Sequence, residues 1–250
     1  MSERREVVGR RAKLGVVIPS TNTVVEADCY GMRLEGVTFH AARIYNPMRP
    51  TGDDASFQAM IENLEQRIGD AVRDVMTCEP DHLIVGADIA SFYGGPEGSA
   101  GFRARLEALG GVSVSTGADA CRAAAQAFGA RRLAVVTAYQ PWSERQALDY
   151  FRDAGFEVVR SKAFPIDNPR AGAFVQEDAL RAGLQALDGP DIDAIVQVGT
   201  NLSMLRLADE AETAFGKPVI AINAALLWHA LRRLGIGDRL PGCGSLLRLH

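Results

Sequence analysis

The sequence of 250 residues has few of the side chains that bind metals or form disulfides. Its four cysteines are Cys29, Cys78, Cys121 and Cys243, with no CxxC pair, and its four histidines are equally dispersed. This spacing fits neither a zinc site nor a disulfide framework. We therefore expect no metal, and we expect the cysteines to be reduced and mostly buried, as in a cytoplasmic protein.

The sequence also lacks the patterns of membrane and nucleic-acid proteins. No apolar run reaches the roughly 20 residues of a membrane span, and the basic N-terminus has no apolar signal-peptide core. A formal net charge of −4 provides no basic surface for nucleic acid. We expect a cytoplasmic protein whose partners include neither membranes nor nucleic acids.

A glycine-rich phosphate loop is missing as well. The segment 94–98 (GGPEG) lacks the Lys-Ser/Thr pair of a P-loop and the spacing of a dinucleotide-binding fingerprint. We therefore expect no nucleotide and no other cofactor.

Short apolar runs alternate with longer stretches of helical periodicity, which is typical of α/β proteins with parallel sheets. The predicted strands cover residues 14–19, 82–86, 133–137, 156–160, 194–199 and 218–222. The predicted helices cover residues 57–77, 102–109, 118–128, 144–154, 177–187, 205–215 and 224–234.

The second part of the chain repeats the first. LGVVIPSTN, which begins at Leu14, is similar to LAVVTAYQ, which begins 119 residues later at Leu133. LIVGADIAS at Leu83 is similar to IVQVGTNLS at Ile195, 112 residues later. We predict two α/β halves related by a pseudo-twofold axis, each with a parallel four-stranded sheet. One domain would span 12–116 and 222–250, the other 117–221.

Polar residues follow four of these strands. In parallel sheets ligands bind beyond the carboxyl ends of the strands, so these residues define one expected cleft between the halves. The candidates for binding a substrate there are Ser20, Asn22, Ala87, Ile89, Gly199, Thr200 and Asn201. Asn168 is a further candidate, although a role in a turn explains it equally.

Asp88 and Tyr139 are the candidates for catalysis. Asp88 directly follows an apolar strand, where burial would raise its pKa and suit it to acid–base chemistry; the alternative is a helix cap or a buried ion pair. Tyr139 could donate to an oxyanion, or could be a half-buried core aromatic. The Ser20–Asn22 turn suits a carboxylate, or simply caps a helix.

Taken together, VVIPSTNTVVE at 16–26, GADIASFYGG at 86–95, the segment 133–159 and GTNLSM at 199–204 resemble the Asp/Glu racemase superfamily. The most similar members are maleate cis–trans isomerase and arylmalonate decarboxylase. The resemblance implies two Rossmann-like halves, a substrate carboxylate held between them, no cofactor and a homo-oligomer. It also implies that Asn22, Tyr139 and Asn168 bind the substrate, and that the loops after Ala87 and Gly199 form an anion cradle.

The resemblance breaks at the catalytic cysteines. The family places cysteines at the positions that read Ala87 and Gly199 in this chain, so thiol chemistry is unsupported. We expect Asp88 to act instead as the acid or base of a decarboxylase or isomerase with an enediolate-like intermediate. Two alternatives stay open: a hydrolase in which Asp88 activates water against an amide, lactone or ring carbonyl, and a non-catalytic carboxylate-binding protein.

Overall fold

The computed structural model describes residues 6–47, 53–164, 166 and 168–250, and it contains two four-stranded sheets. The strands are β1 (Ala12–Pro19), β2 (Val37–Ile44), β3 (His82–Val85), β4 (Ser113–Thr116), β5 (Arg132–Thr137), β6 (Glu157–Ala163), β7 (Ala194–Gln197) and β8 (Val219–Ala221). All pairings are parallel, with the order β2-β1-β3-β4 in one sheet and β6-β5-β7-β8 in the other. This identical order confirms the predicted fold class of two similar α/β halves.

Helices cover the faces of both sheets. They are α1 (Val25–Gly31), α2 (Asp54–Met76), α3 (Asp88–Phe92), α4 (Gly95–Gly110), α5 (Gly117–Ala127), α6 (Pro141–Asp153), α7 (Glu177–Leu187), α8 (Leu205–Phe215), α9 (Ile222–Arg233) and α10 (Gly244–Leu249), with a 3-10 turn at Ala171–Phe174. Within the described ranges, none of these helices combines the length and the apolar character needed to cross a bilayer.

Two strands (β2 and β4), three short helices (α1, α3 and α10) and the first turns of α4 were not located from the sequence. Strand β4 (SVST) is largely buried but contains no apolar run. Its serines Ser113 and Ser115 are accommodated because their hydroxyls hydrogen-bond to the buried imidazole of His82. Edge strand β2 is half exposed and correspondingly mixed in composition. Helix α4 begins at Gly95 rather than at 102, because a proline is tolerated in the first turn of a helix.

The two halves pack against each other through helices. Phe92 of α3 meets the ring of Tyr150 of α6 edge-on, with 5.2 Å between ring centroids, and both side chains are fully buried. Helix α9 follows the last strand of the second sheet but packs against β3 and β4 of the first. The domain boundaries at 116 and 222 stay a prediction.

Candidate active site

The carboxyl ends of four strands, two from each sheet, meet around one cleft. It is lined by Pro19 at the end of β1 and by the segments after β3, β5 and β7, namely 86–89, 138–139 and 199–202. The cleft, together with the solvent space at its mouth, has about 680 Å³ that protein atoms do not occupy. The duplication therefore places the polar strand ends of both halves in one cavity.

Asp88 is the first residue of α3 and reaches across to the second half. Its Oδ2 atom accepts hydrogen bonds from the hydroxyl of Tyr139 and from the backbone N–H groups of Gly199 (2.8 Å) and Thr200 (3.1 Å). The hydroxyl of Thr200 lies 3.2 Å from Oδ1 of Asp88 and 2.9 Å from the carbonyl oxygen of Gly86, and can donate to one of them at a time. The donors that we expected to hold a substrate carboxylate thus hold the carboxylate of Asp88.

Burial controls the protonation of this group. Asp88 is only 7% exposed, and the loss of hydration raises the pKa of its carboxyl; the hydrogen bonds from Tyr139, Thr200 and Gly199 offset part of that rise. Burial, followed by the charge of Asp88, also raises the pKa of Tyr139 well above its usual value, so its hydroxyl remains a donor. Burial thus makes the carboxyl of Asp88 a weaker acid than that of an exposed aspartate.

The backbone conformation at position 199 requires a glycine. Its φ of +106° lies in a region that residues with a side chain rarely adopt. This conformation turns the N–H groups of Gly199 and Thr200 toward Asp88. A side chain at this position would strain the turn that supplies two of the donors.

Asn22 and Asn201 connect the loops of the two halves. The Oδ1 atom of Asn22 accepts from the N–H groups of Val24 and Val25 at the start of α1, while its Nδ2 donates to the hydroxyl of Thr200 at 3.2 Å. Asn201 accepts from the N–H of Thr23 and donates to the carbonyl of Pro169, both at 3.0 Å. Both asparagines line the cleft, so capping and site roles coexist in them.

The remaining candidates divide into two groups. Ala87 and Ile89 line the cleft beside Asp88, whereas Ser20 and Asn168 are not among the lining residues. The hydroxyl of Ser20 accepts from the N–H of Asn46, and the side chain of Asn168 accepts from the N–H of Arg170, both at 3.0 Å. The side chain of Ser20 thus links the loops after β1 and β2, that of Asn168 belongs to a local turn, and their binding of a substrate stays a prediction.

Several lining residues were missed in the sequence. Helix α2 contributes an apolar wall of Met60, Ile61 and Leu64, whose periodicity predicted a buried face but not the cavity that it faces. Further polar lining residues are Thr21, Asn46 and Ser143. Asn46 follows β2 as the other candidates follow their strands, so locating β2 would have indicated it.

The charge of the cleft is unusual for a site expected to bind anions. Among the described lining residues, only Asp88 and Tyr139 can titrate, and none is a lysine, arginine or histidine. None of the four cysteines is a lining residue either, and burial, followed by the charge of Asp88, raises the pKa of the nearby Cys121 thiol. For the part of the chain that the structure describes, the chemistry of the cleft therefore depends on one carboxyl group and neutral hydrogen-bond donors.

The fold and this cleft define a duplicated α/β protein with one buried acid between its halves. The chain belongs to the arylmalonate decarboxylase family, whose profile matches residues 14–247. It is 28% identical to a maleate isomerase of Nocardia farcinica, covering 94% of this chain and 95% of that protein, and 26% identical to an arylmalonate decarboxylase of Bordetella bronchiseptica (93% and 95%). These matches confirm the resemblance predicted from the motifs.

The solved structures give the same fold. A mutant of the Nocardia farcinica maleate cis–trans isomerase with a covalently bound succinylcysteine intermediate matches with a TM-score of 0.86, at 23% identity, over 95% of this chain and 98% of that one. The relatives are named as isomerases and a decarboxylase, which supports the prediction of an enzyme of that type.

Proposed function

We propose that this protein is a cofactor-independent decarboxylase or isomerase of small carboxylic acids, in which Asp88 transfers the proton. The observation that carries the proposal is the position of Asp88, whose carboxylate is fixed at the cleft by donors from the opposite half. The names of the family and of the relatives support the same class of reaction.

The proposed chemistry is a proton transfer at carbon. In an isomerisation, Asp88 takes a proton from one carbon of an unsaturated acid, and the electron pair delocalises into the carboxylate as an enediolate-like species. Asp88 then returns the proton to another carbon. In a decarboxylation, the C–C bond breaks, CO₂ leaves with its oxygens, and the remaining electron pair takes the proton from Asp88. Burial favours either reaction, because it raises the pKa of Asp88 and so strengthens its hold on the transferred proton.

The hydrolytic alternative has less support. It needs Asp88 to activate water while the N–H groups of Gly199 and Thr200 hold the oxyanion of a tetrahedral intermediate. In the structure both N–H groups donate to Asp88 itself. Proton transfer at carbon does not require these N–H groups to bind Asp88 and an oxyanion at the same time.

Deuterium exchange tests the proposal across a range of candidate substrates. A panel of small unsaturated and malonate-type acids is incubated with the protein in D₂O, and NMR follows deuterium incorporation, isomer formation and loss of CO₂. We expect at least one acid to react, and Asp88→Asn to slow it by about 10²- to 10⁴-fold. The exposed Asp149→Asn, a residue of α6 with 58% of its side chain accessible, is the matched control. Unchanged turnover by Asp88→Asn would remove Asp88 from the mechanism, and ligand binding without any reaction would favour the non-catalytic alternative.

A further inference from the structure

The donors around Asp88 form a complete carboxylate-binding site. Three of them, the hydroxyl of Tyr139 and the N–H groups of Gly199 and Thr200, converge on one oxygen, and the hydroxyl of Thr200 faces the other. A carboxylate from a ligand would need this same set. Because the side chain of Asp88 already occupies it, a substrate carboxylate has no place there.

Among the residues that the structure describes, the lining of the cleft provides no counter-charge for a second anion. Its described lining residues include no cationic side chain; the nearby Arg43 instead contacts Glu26 and the backbone carbonyl of Asn22 on the loop behind. A monocarboxylate beside Asp88 can share a single proton with it, as paired carboxyl groups do. A dicarboxylate would add a further negative charge in a buried space where repulsion is strong.

Part of the cleft lining suits an apolar group. It includes Met60, Ile61 and Leu64 of α2, and also Ile89 and Ile166. Apolar walls with a few convergent polar groups are typical of sites for small, mostly apolar ligands. Thr21 and Ser143 are neutral polar lining residues that can donate to one carboxylate.

We infer that Asp88 permanently fills the anion cradle of this cleft, so that the enzyme acts on monocarboxylic acids with an apolar substituent and rejects small dicarboxylates. That the enzyme converts these acids rests on the proposed function. Among the candidate substrates of that function, the inference selects unsaturated monocarboxylic acids over malonate-type dicarboxylic acids. The preference in binding is independent of turnover. It separates this chain from relatives that are named for maleate, which is a dicarboxylate.

Isocrotonate and maleate are a matched pair of probes, because they share a cis double bond and differ by a methyl group in place of one carboxylate. Calorimetric titration at neutral pH should show that the wild-type protein binds isocrotonate at least about tenfold more tightly than maleate. Asp88→Ala empties the cradle and should gain at least about tenfold in affinity for maleate. Asp88→Asn removes the charge but keeps the cradle filled, so its gain should be clearly smaller.

Three results would overturn the inference: wild-type protein that binds maleate as tightly as Asp88→Ala, a folded Asp88→Ala that gains no affinity for maleate, or equal gains for Asp88→Asn and Asp88→Ala. If Asp88→Ala does not fold, Asp88→Ser leaves a similar space and takes its place. Formate, which matches the deleted carboxylate in size, provides a second measurement. It should raise the unfolding temperature of the truncated variant and leave that of the wild-type protein unchanged.

These assays measure binding only. If no acid in the panel reacts but the selectivity for isocrotonate holds, the proposed function fails and the filled cradle stands. If the deuterium assay succeeds and maleate binds the wild-type protein well, the proposed function stands and the inference of a filled cradle fails.

Discussion

The carboxylate of Asp88 accepts a 2.8 Å hydrogen bond from the backbone N–H of Gly199, which lies 111 residues further along the chain. Asp88 follows β3 and Gly199 follows β7, the equivalent strands of the two sheets. The acid of one half is therefore held by the backbone of the corresponding turn in the other. Any change in how the halves sit together should alter this contact first.

Gly199→Ala should reduce both stability and turnover. A side chain at φ +106° is strained, which typically costs about 1–2 kcal/mol, and relief of the strain would rotate the N–H away from Asp88. Urea unfolding and the rate of the panel reaction measure the two effects. Gly216→Ala is the control, because Gly216 also has a positive φ (+66°), with no atom within 4 Å of an added Cβ. It should lose similar stability and keep its turnover; equal turnover losses would show that the effect is global.

Tyr139→Phe should lower the rate on the order of 10²-fold, because it removes one preorganised donor from the site. The hydrogen bond from Tyr139 lowers the pKa of Asp88, so its loss should raise that pKa further. The limb of the pH–rate profile that reports Asp88 should consequently move to higher pH. Tyr150→Phe, a fully buried tyrosine outside the cleft lining, is the control. A slower variant whose profile does not move would mean that Tyr139 acts only through packing.

Asp28→Asn should stabilise the protein at neutral pH. Asp28 lies buried on α1, where Nδ2 of Asn223 donates to it at 2.7 Å and also lies 3.1 Å from the carbonyl of Thr200. Burial, only partly offset by that hydrogen bond, raises the pKa of Asp28 from 3.8 to about 6. Between these values the folded state binds more protons than the unfolded state, so stability falls as pH rises from about 4 to about 6, by on the order of 3 kcal/mol from this group.

Unfolding free energies of the wild-type protein and Asp28→Asn, measured from pH 4 to 7, check this prediction. The variant should lose part of the decline with pH and exceed the wild type at the upper end. Asp149→Asn on the exposed face of α6 is the matched control. Parallel curves for Asp28→Asn and the wild type would contradict the raised pKa.

Asn201→Ala should weaken substrate binding strongly and slow the chemical step only slightly. It removes the hydrogen bonds to Thr23 and Pro169, which connect loops on both sides of the cleft, at a cost of about 0.5–1.5 kcal/mol each. Asn201→Asp keeps the acceptor for Thr23 and loses the donor to Pro169, so it separates the two contacts. We expect KM to rise in both variants with a smaller change in kcat. A fall in kcat alone would place Asn201 in the chemical step.

Much of the architecture could be predicted because the pattern is repeated. Two similar strand-and-turn segments beginning at Leu14 and Leu133 indicate duplication directly, and parallel strands then place their polar ends at one edge. Strands β2 and β4 could not be located, because one is an exposed edge and the other buries serines against a histidine. In both strands, the hydrophobicity of the sequence does not correspond to how deeply the residues are buried.

The fold class, the family and the residues at the strand ends could be predicted from the sequence, since these depend on local pattern and motif. Asp88 and Tyr139 could also be identified, because polar groups that directly follow buried strands are conspicuous. The contacts of these groups could not be predicted, because they depend on tertiary packing. Asp88 meets Gly199 and Thr200 through the packing of two halves, at a sequence distance over which no local pattern acts. That packing turned an expected site for a substrate carboxylate into one that the chain fills with its own.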